Sequence, residues 1–150
     1  MKLWPVLVMC LLLPLSSAFA FEYEQYKQGD LDKILATPKI KAGVKMVVPQ
    51  KLTFRVVLAS ASLNCNTDIL KRAMVMQGEK KEVVDKLAIS KCIGVKSAKN
   101  VAASLFIEDK VAERLAREAK PGEVVDLFSE FLYVGTQGPA LLVKEFKKLK

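Results

Sequence analysis

The sequence predicts a mainly β protein with helices, built on five strands with a helical insertion between the first and second. Three observations predict it. Residues 52–58 alternate in polarity, with Leu52, Phe54, Val56 and Leu58 on one face and Thr53, Arg55 and Val57 on the other. Between Asn66 and Ala88 the apolar spacing becomes helical. From Cys92 to Phe146 the order is strand, strand, helix, strand, strand, with turn residues between them. An α+β sandwich, a sheet with helices packed on one side, is the rival arrangement.

The first element is a leader. Lys2 is the only charge among the first 20 residues, and 3–15 are apolar apart from Pro5 and Pro14. Ser16-Ser17-Ala18-Phe19-Ala20 follows, with small residues at the −3 and −1 positions of a cut after Ala20. As a helix, 3–15 would reach only about 20 Å, against roughly 30 Å of hydrocarbon, so a signal peptide over 1–20 is expected and not a membrane anchor. Cys10 follows Leu7-Val8-Met9 and lacks the small residues of a lipidation site. The expected address is the periplasm or the outside of the cell, with no transmembrane segment after cleavage.

Trimming removes Lys2 from 24 basic side chains and leaves 23 against 16 acidic ones, a charge of +7. Cys65 and Cys92 remain. In an oxidising compartment two cysteines allow one internal pairing, so a disulfide Cys65–Cys92 is expected. No C-x-x-C motif supports a redox role.

Residues 21–51 read as an N-terminal arm or linker, and 52–150 as the folded domain. In the arm, Asp30 is expected to cap a short helix with Leu31, Ile34 and Leu35 on one face, ended by Thr37-Pro38. Residues 38–51 are basic and turn-rich around Gly43 and Pro49, with a brief strand at 44–48.

After the 52–58 strand, Asn66 or Thr67 caps a helix over 68–77 carrying Ile69, Leu70, Ala73 and Met74, and Gly78 stops it. A second helix is expected over 79–88, burying Val83, Val84 and Leu87. Cys65 and Cys92 flank this pair, so their bond would staple the base of the excursion. Strands over 92–97 and 101–108 then form a hairpin about Ala98-Lys99-Asn100. Asp109 is expected to cap a helix over 110–120 with Val111, Ala112, Leu115, Ala116 and Ala119 on its apolar stripe. Lys120-Pro121-Gly122-Glu123 fits a type II turn. A long strand over 124–134, a turn at 135–139 and a strand over 140–146 complete the chain.

Strands with a helix between the third and fourth are the order of an OB-fold barrel. Residues 92–146 carry the resemblance: the hairpin ending in Leu105-Phe106-Ile107, the helix, Pro121-Gly122-Glu123, the long strand, and Gly138-Pro139-Ala140-Leu141-Leu142-Val143. This stretch resembles the second half of an OB-fold. The resemblance implies an OB-like five-stranded barrel, and the helical insertion departs from its simplest form.

The chain has no histidine, which removes Ser-His-Asp and Cys-His catalysis and His-ligated metal sites. No cofactor, metal or catalytic residue is expected. Asp126 and Glu130 share a strand face about 13 Å apart, too wide for a glycosidase pair at about 5–9.5 Å. OB-folds often hold single strands in a basic groove with exposed aromatics, and Arg55, Lys96, Lys99 and Tyr133 are the residues expected to bind a ligand here. Export directs the reading away from nucleic acid and toward an envelope protein or an anionic polymer. The leading expectation is therefore an exported, non-enzymatic binding module. A cell-wall-acting hydrolase or inhibitor is the alternative from another class, and a single-stranded nucleic-acid binder is the third.

Overall fold

The computed structural model describes residues 20–150, so the leader read over 1–20 lies, but for Ala20, outside the described residues. The elements in chain order are β1 (Lys27–Gln28), α1 (Leu31–Leu35), β2 (Val44–Asn64), α2 (Asp68–Met76), α3 (Lys81–Lys86), β3 (Lys91–Lys96), β4 (Ala102–Ile107), α4 (Asp109–Glu118), β5 (Val124–Gly135) and β6 (Gly138–Lys148). A 3-10 turn, Tyr23–Gln25, precedes them.

Five strands close a barrel. β2 pairs antiparallel with β3, β3 with β4, and β5 with β6; β4 and β6 run parallel; β5 returns to β2. This is the OB-like barrel, with α2 and α3 inserted between its first two strands and α4 between its third and fourth. The short β1 lies parallel to β2 at Leu52 and Thr53.

The first barrel strand is much longer than the alternation over 52–58 predicts. β2 begins at Val44, so the brief strand expected at 44–48 is the start of the first barrel strand, and 44–51 belong to the barrel wall and not to a connecting segment. Lys45 and Lys51 disguise it, pointing to solvent, and so does Pro49. Pro49 falls where the β2–β5 register shifts between Met46 and Gln50, and a strand interior tolerates proline at such an irregularity. Two more shifts, at Leu58/Ser60 and Ser60/Leu63, fall where β2 runs against β3.

Alternation fills the barrel. Phe54, Val56 and Leu58 from β2 meet Ile93 and Val95, Leu105 and Ile107, Val125 and Leu127, and Leu141 and Val143 from the other strands. Side chains buried this fully contribute roughly 1.5–3 kcal/mol each. α4 seals one end with Val111, Ala112 and Leu115. Its cap differs from expectation. Asp109 lies inside the first turn, and its carboxylate instead accepts the Ser90 amide (2.7 Å) and hydroxyl (2.9 Å).

The opposite end is covered by α1 and the segment after it. Asp30 caps α1 by accepting the Lys33 amide at 3.1 Å, and Leu31 enters the core. Asp32 reaches across to the β3–β4 turn, where it accepts from the Ser97 hydroxyl and the Lys99 amide (3.2 Å). Farther on, the Ile40 amide meets the Gly135 carbonyl at 3.4 Å.

The insertion builds a second core outside the barrel. Leu70, Ala73, Met74, Val84 and Ile89 pack on the outer side chains Leu132, Tyr133, Ala140 and Leu142. Asn66 begins α2 by accepting the Asp68 amide (2.9 Å), while Thr67 donates its hydroxyl to the Ile89 carbonyl (2.9 Å) across the base of the loop. Cys65 and Cys92 are disulfide-bonded there, with Cα atoms 5.7 Å apart.

Candidate functional site

The outer faces of β3 and β4 carry the candidate site. Ile93, Val95, Leu105 and Ile107 point into the barrel, which turns Gly94, Lys96, Ala102 and Ser104 outward. Lys96 faces Ala102 on one side and Val57 on the other, and Gly94 faces Ser104 and Ser60. The result is a smooth strip of small side chains, since Gly94 has none, and Ala102 and Ser104 are exposed. Phe106 and the Cys65–Cys92 bond, under the insertion, bound it at one end. The Lys96–Lys99 hairpin bounds it at the other.

That hairpin is held tightly. Ser97 exchanges backbone bonds with Val101 and Asn100, and its hydroxyl accepts the Val101 amide at 3.1 Å. Asn100 adopts a left-handed φ of 63°, which its side chain tolerates better than most. Asp32 fixes the turn from α1, so the Lys99 side chain projects from a rigid base. Asp32 spends both oxygens on Ser97 and the Lys99 amide, and on neither lysine ammonium.

The structure brings three of the four expected residues onto neighbouring outer positions and withdraws the fourth. Lys96 and Lys99 are exposed on one hairpin. Arg55 lies two residues from Val57 on the same outer face, but it is engaged. Its Nε and Nη2 donate to Asp126 Oδ1 and Oδ2 at 2.9 and 3.1 Å across the β2–β5 rung. Tyr133 is 5 % exposed beneath the insertion, and burial pushes its phenol up from the ordinary range. It is core and not a stacking surface. Among the described residues, no aromatic ring stands on the open part of the β3–β4 face; Phe106 is partly covered by the insertion.

Sequence reading missed the charge partition that the fold creates. Lys33, Lys39, Lys41, Lys45, Lys96 and Lys99 gather at the end covered by α1, against Asp30 and Asp32. Lys45 is opposite Val134 in the β2–β5 ladder, and the Lys39 stem reaches Gly138. Among the described residues, none of these six ammonium groups has a carboxylate within ion-pair distance. At the α4 end several charges are paired, although Lys110, Arg117 and Lys120 have no carboxylate within ion-pair distance among the described residues. Arg114 meets Glu118 and Glu145, and Lys148 meets Glu123 at 3.2 Å. The clue lies in Lys33, Lys39, Lys41 and Lys45, which fall in the stretch that the sequence reads as an arm or linker.

An aromatic cluster forms on the outer face of β5. The rings of Phe21, Tyr23 and Tyr26 surround Phe128 at 4.9–5.9 Å between centroids, and the Lys147 ammonium lies 3.7 Å from the Tyr23 ring centre. Residues 21–28 therefore lie against the barrel wall. Asp126 and Glu130 sit on this side of β5, the first bound to Arg55.

No protein-family model matches the chain, and no curated protein matches it in sequence. Among the described residues, no helix is long and apolar enough to cross a membrane.

Proposed function

We propose that this protein is an exported, non-enzymatic binding module that takes an anionic polymer of the cell envelope on its basic end. The observation carrying this reading is the set of six lysines without carboxylate partners, beside the smooth β3–β4 strip. An elongated polyanion can lie on small side chains while Lys96 and Lys99 contact its charges. Strands two and three are also where OB-like barrels commonly hold oligosaccharides and oligonucleotides. Export rests on the leader read in residues 1–20, and the disulfide supports an oxidising compartment.

A nucleic-acid strand is the less favoured polyanion, because stacking needs exposed rings that this face lacks. An envelope protein with an acidic surface would use the same lysines.

Binding of fluorescent dextran sulfate, with neutral dextran as control, tests the proposal. Dextran sulfate should bind, and binding should weaken at least about tenfold between 50 and 300 mM salt as screening shortens. The pair Lys96→Glu and Lys99→Glu should weaken it about tenfold, while Lys110→Glu with Arg117→Glu at the α4 end, away from the β3–β4 hairpin, should not. Equal affinity for neutral dextran, or indifference to the first pair, would overturn the reading.

A further inference from the structure

β2 parts from β5 before it ends. The last paired rung is Val57–Val124, and Leu58 closes it by donating to the Glu123 carbonyl (2.9 Å) and accepting the Gly122 amide (2.7 Å). Over 59–64 the strand runs against β3 on one side, and among the described residues no strand lies on the other. Sheet edges are commonly guarded by charge or proline. The sequence here, Ala59-Ser60-Ala61-Ser62-Leu63-Asn64, has neither, and Leu63 is 59 % exposed.

A cavity of about 120 Å³ opens beside this edge, between the strand and α4. Leu58, Ser62, Ala112, Ala116, Ala119 and Pro121 line it. Apolar cavities of roughly 150 Å³ take a benzene-sized guest, so this one suits a single aliphatic side chain. Lys120 lies at the same cavity, and among the described residues its ammonium pairs with no carboxylate. Backbone groups for a ladder, a pocket for one side chain and a cation beside it are the parts of strand addition.

We infer that the 59–64 edge docks an extended segment of a partner protein as an added strand. One aliphatic side chain of that segment fills the α4 cavity, and an acidic group meets Lys120. A second copy of this chain is a poorer occupant, because each copy carries a net charge of +8 as full-length chain and would repel the other. The inference goes beyond the polymer reading and uses a different surface.

The probe is a fluorescein-labelled peptide, acetyl-Glu-Thr-Val-Leu-Val-Thr-Glu-amide, titrated by anisotropy against the disulfide-bonded protein. Saturable binding is expected in the range of tens of micromolar, with amide shifts confined to β2 beyond Val57, to α4 and to the 120–123 turn. Replacing the central leucine by aspartate, or methylating the backbone nitrogens on one edge of the peptide, should abolish it. Ala116→Leu fills the cavity and should weaken binding at least about tenfold with an unchanged melting temperature. Lys120→Glu should weaken it several-fold and serves if Ala116→Leu disturbs the fold. No saturable binding up to about 1 mM, shifts elsewhere, or indifference to both variants would overturn the inference. So would sedimentation showing that the edge pairs two copies of the chain. Dextran sulfate binding reads the opposite end, so either proposal can fail alone.

Discussion

The Ser60 hydroxyl accepts the Gly94 amide at 3.1 Å, in the space that a Cβ on Gly94 would occupy. The β2–β3 register shifts on both sides of Ser60, and the hydroxyl supplies the partner that the amide of β3 needs there. Gly94→Ala should therefore displace Ser60 and cost about 1 kcal/mol, the low end for a donor left without its acceptor, since the bond is only partly buried. Chemical denaturation measures it. Adding Ser60→Ala should recover little, because it relieves the clash and leaves the amide unsatisfied.

Loss of the Cys65–Cys92 bond should destabilise the protein by about 3–4 kcal/mol in the chain-entropy model, since it closes a loop across 27 positions. Cys65→Ser with Cys92→Ser, compared with wild type by urea unfolding, gives the value. Hydrogen exchange should quicken most over 66–89, where the insertion rests on its own smaller core.

Ser129 is fully buried on β5, and among the described residues its hydroxyl has no hydrogen-bond partner. Ser129→Ala removes a desolvated polar group while keeping nearly the same shape. It should raise stability by about 1 kcal/mol, read as a higher melting temperature. An unchanged or lowered value would show that the hydroxyl is satisfied in solution.

Two phenols should shape the alkaline limit. Tyr26 is pushed well above its usual range by burial first, then by the charges of Glu130 and Glu108, and Tyr133 is raised by burial. A raised folded-state value means stability is fully present below the unfolded phenol pKa of about 10 and is lost as pH climbs beyond it. Urea midpoints should thus fall above about pH 10, and less steeply in Tyr26→Phe. Absorbance at 295 nm should show the Tyr133 phenol ionising at higher pH than a free tyrosine.

At the acid side the sign reverses. Glu123 is held below the carboxylate range by the Lys120 amide first and then by the Lys148 ammonium. Its contribution is present above the unfolded value of about 4.3 and fades as pH falls through the folded one. Glu123→Gln should flatten the stability profile between about pH 5 and 3 by a small amount, because the group is exposed.

The barrel order was legible because its strands alternate around turns with strong local chemistry. Lys120-Pro121-Gly122-Glu123 turns with Gly122 at φ 93°, and Glu123 donates its amide to the Lys120 carbonyl. The brief strand at 44–48 was legible, but not that it runs on into 52–58 as one strand, because exposed lysines and a proline at a bulge resemble a loop until β5 is laid beside them. Tyr133 shows the same limit at the site. Its sequence position fits a rim residue, and only the packing of α2 and α3 on the outer wall makes it core. Arg55 was placed on the correct face, but its partner Asp126 is 71 residues away and no local pattern reveals it.

The long bend in β2 binds the fate of the two walls together. One run of chain is riveted to β5 over 44–57 and to β3 over 57–64. Neither wall can peel away without pulling out the seam of the other. The barrel consequently has no half that survives alone, and it melts as one piece.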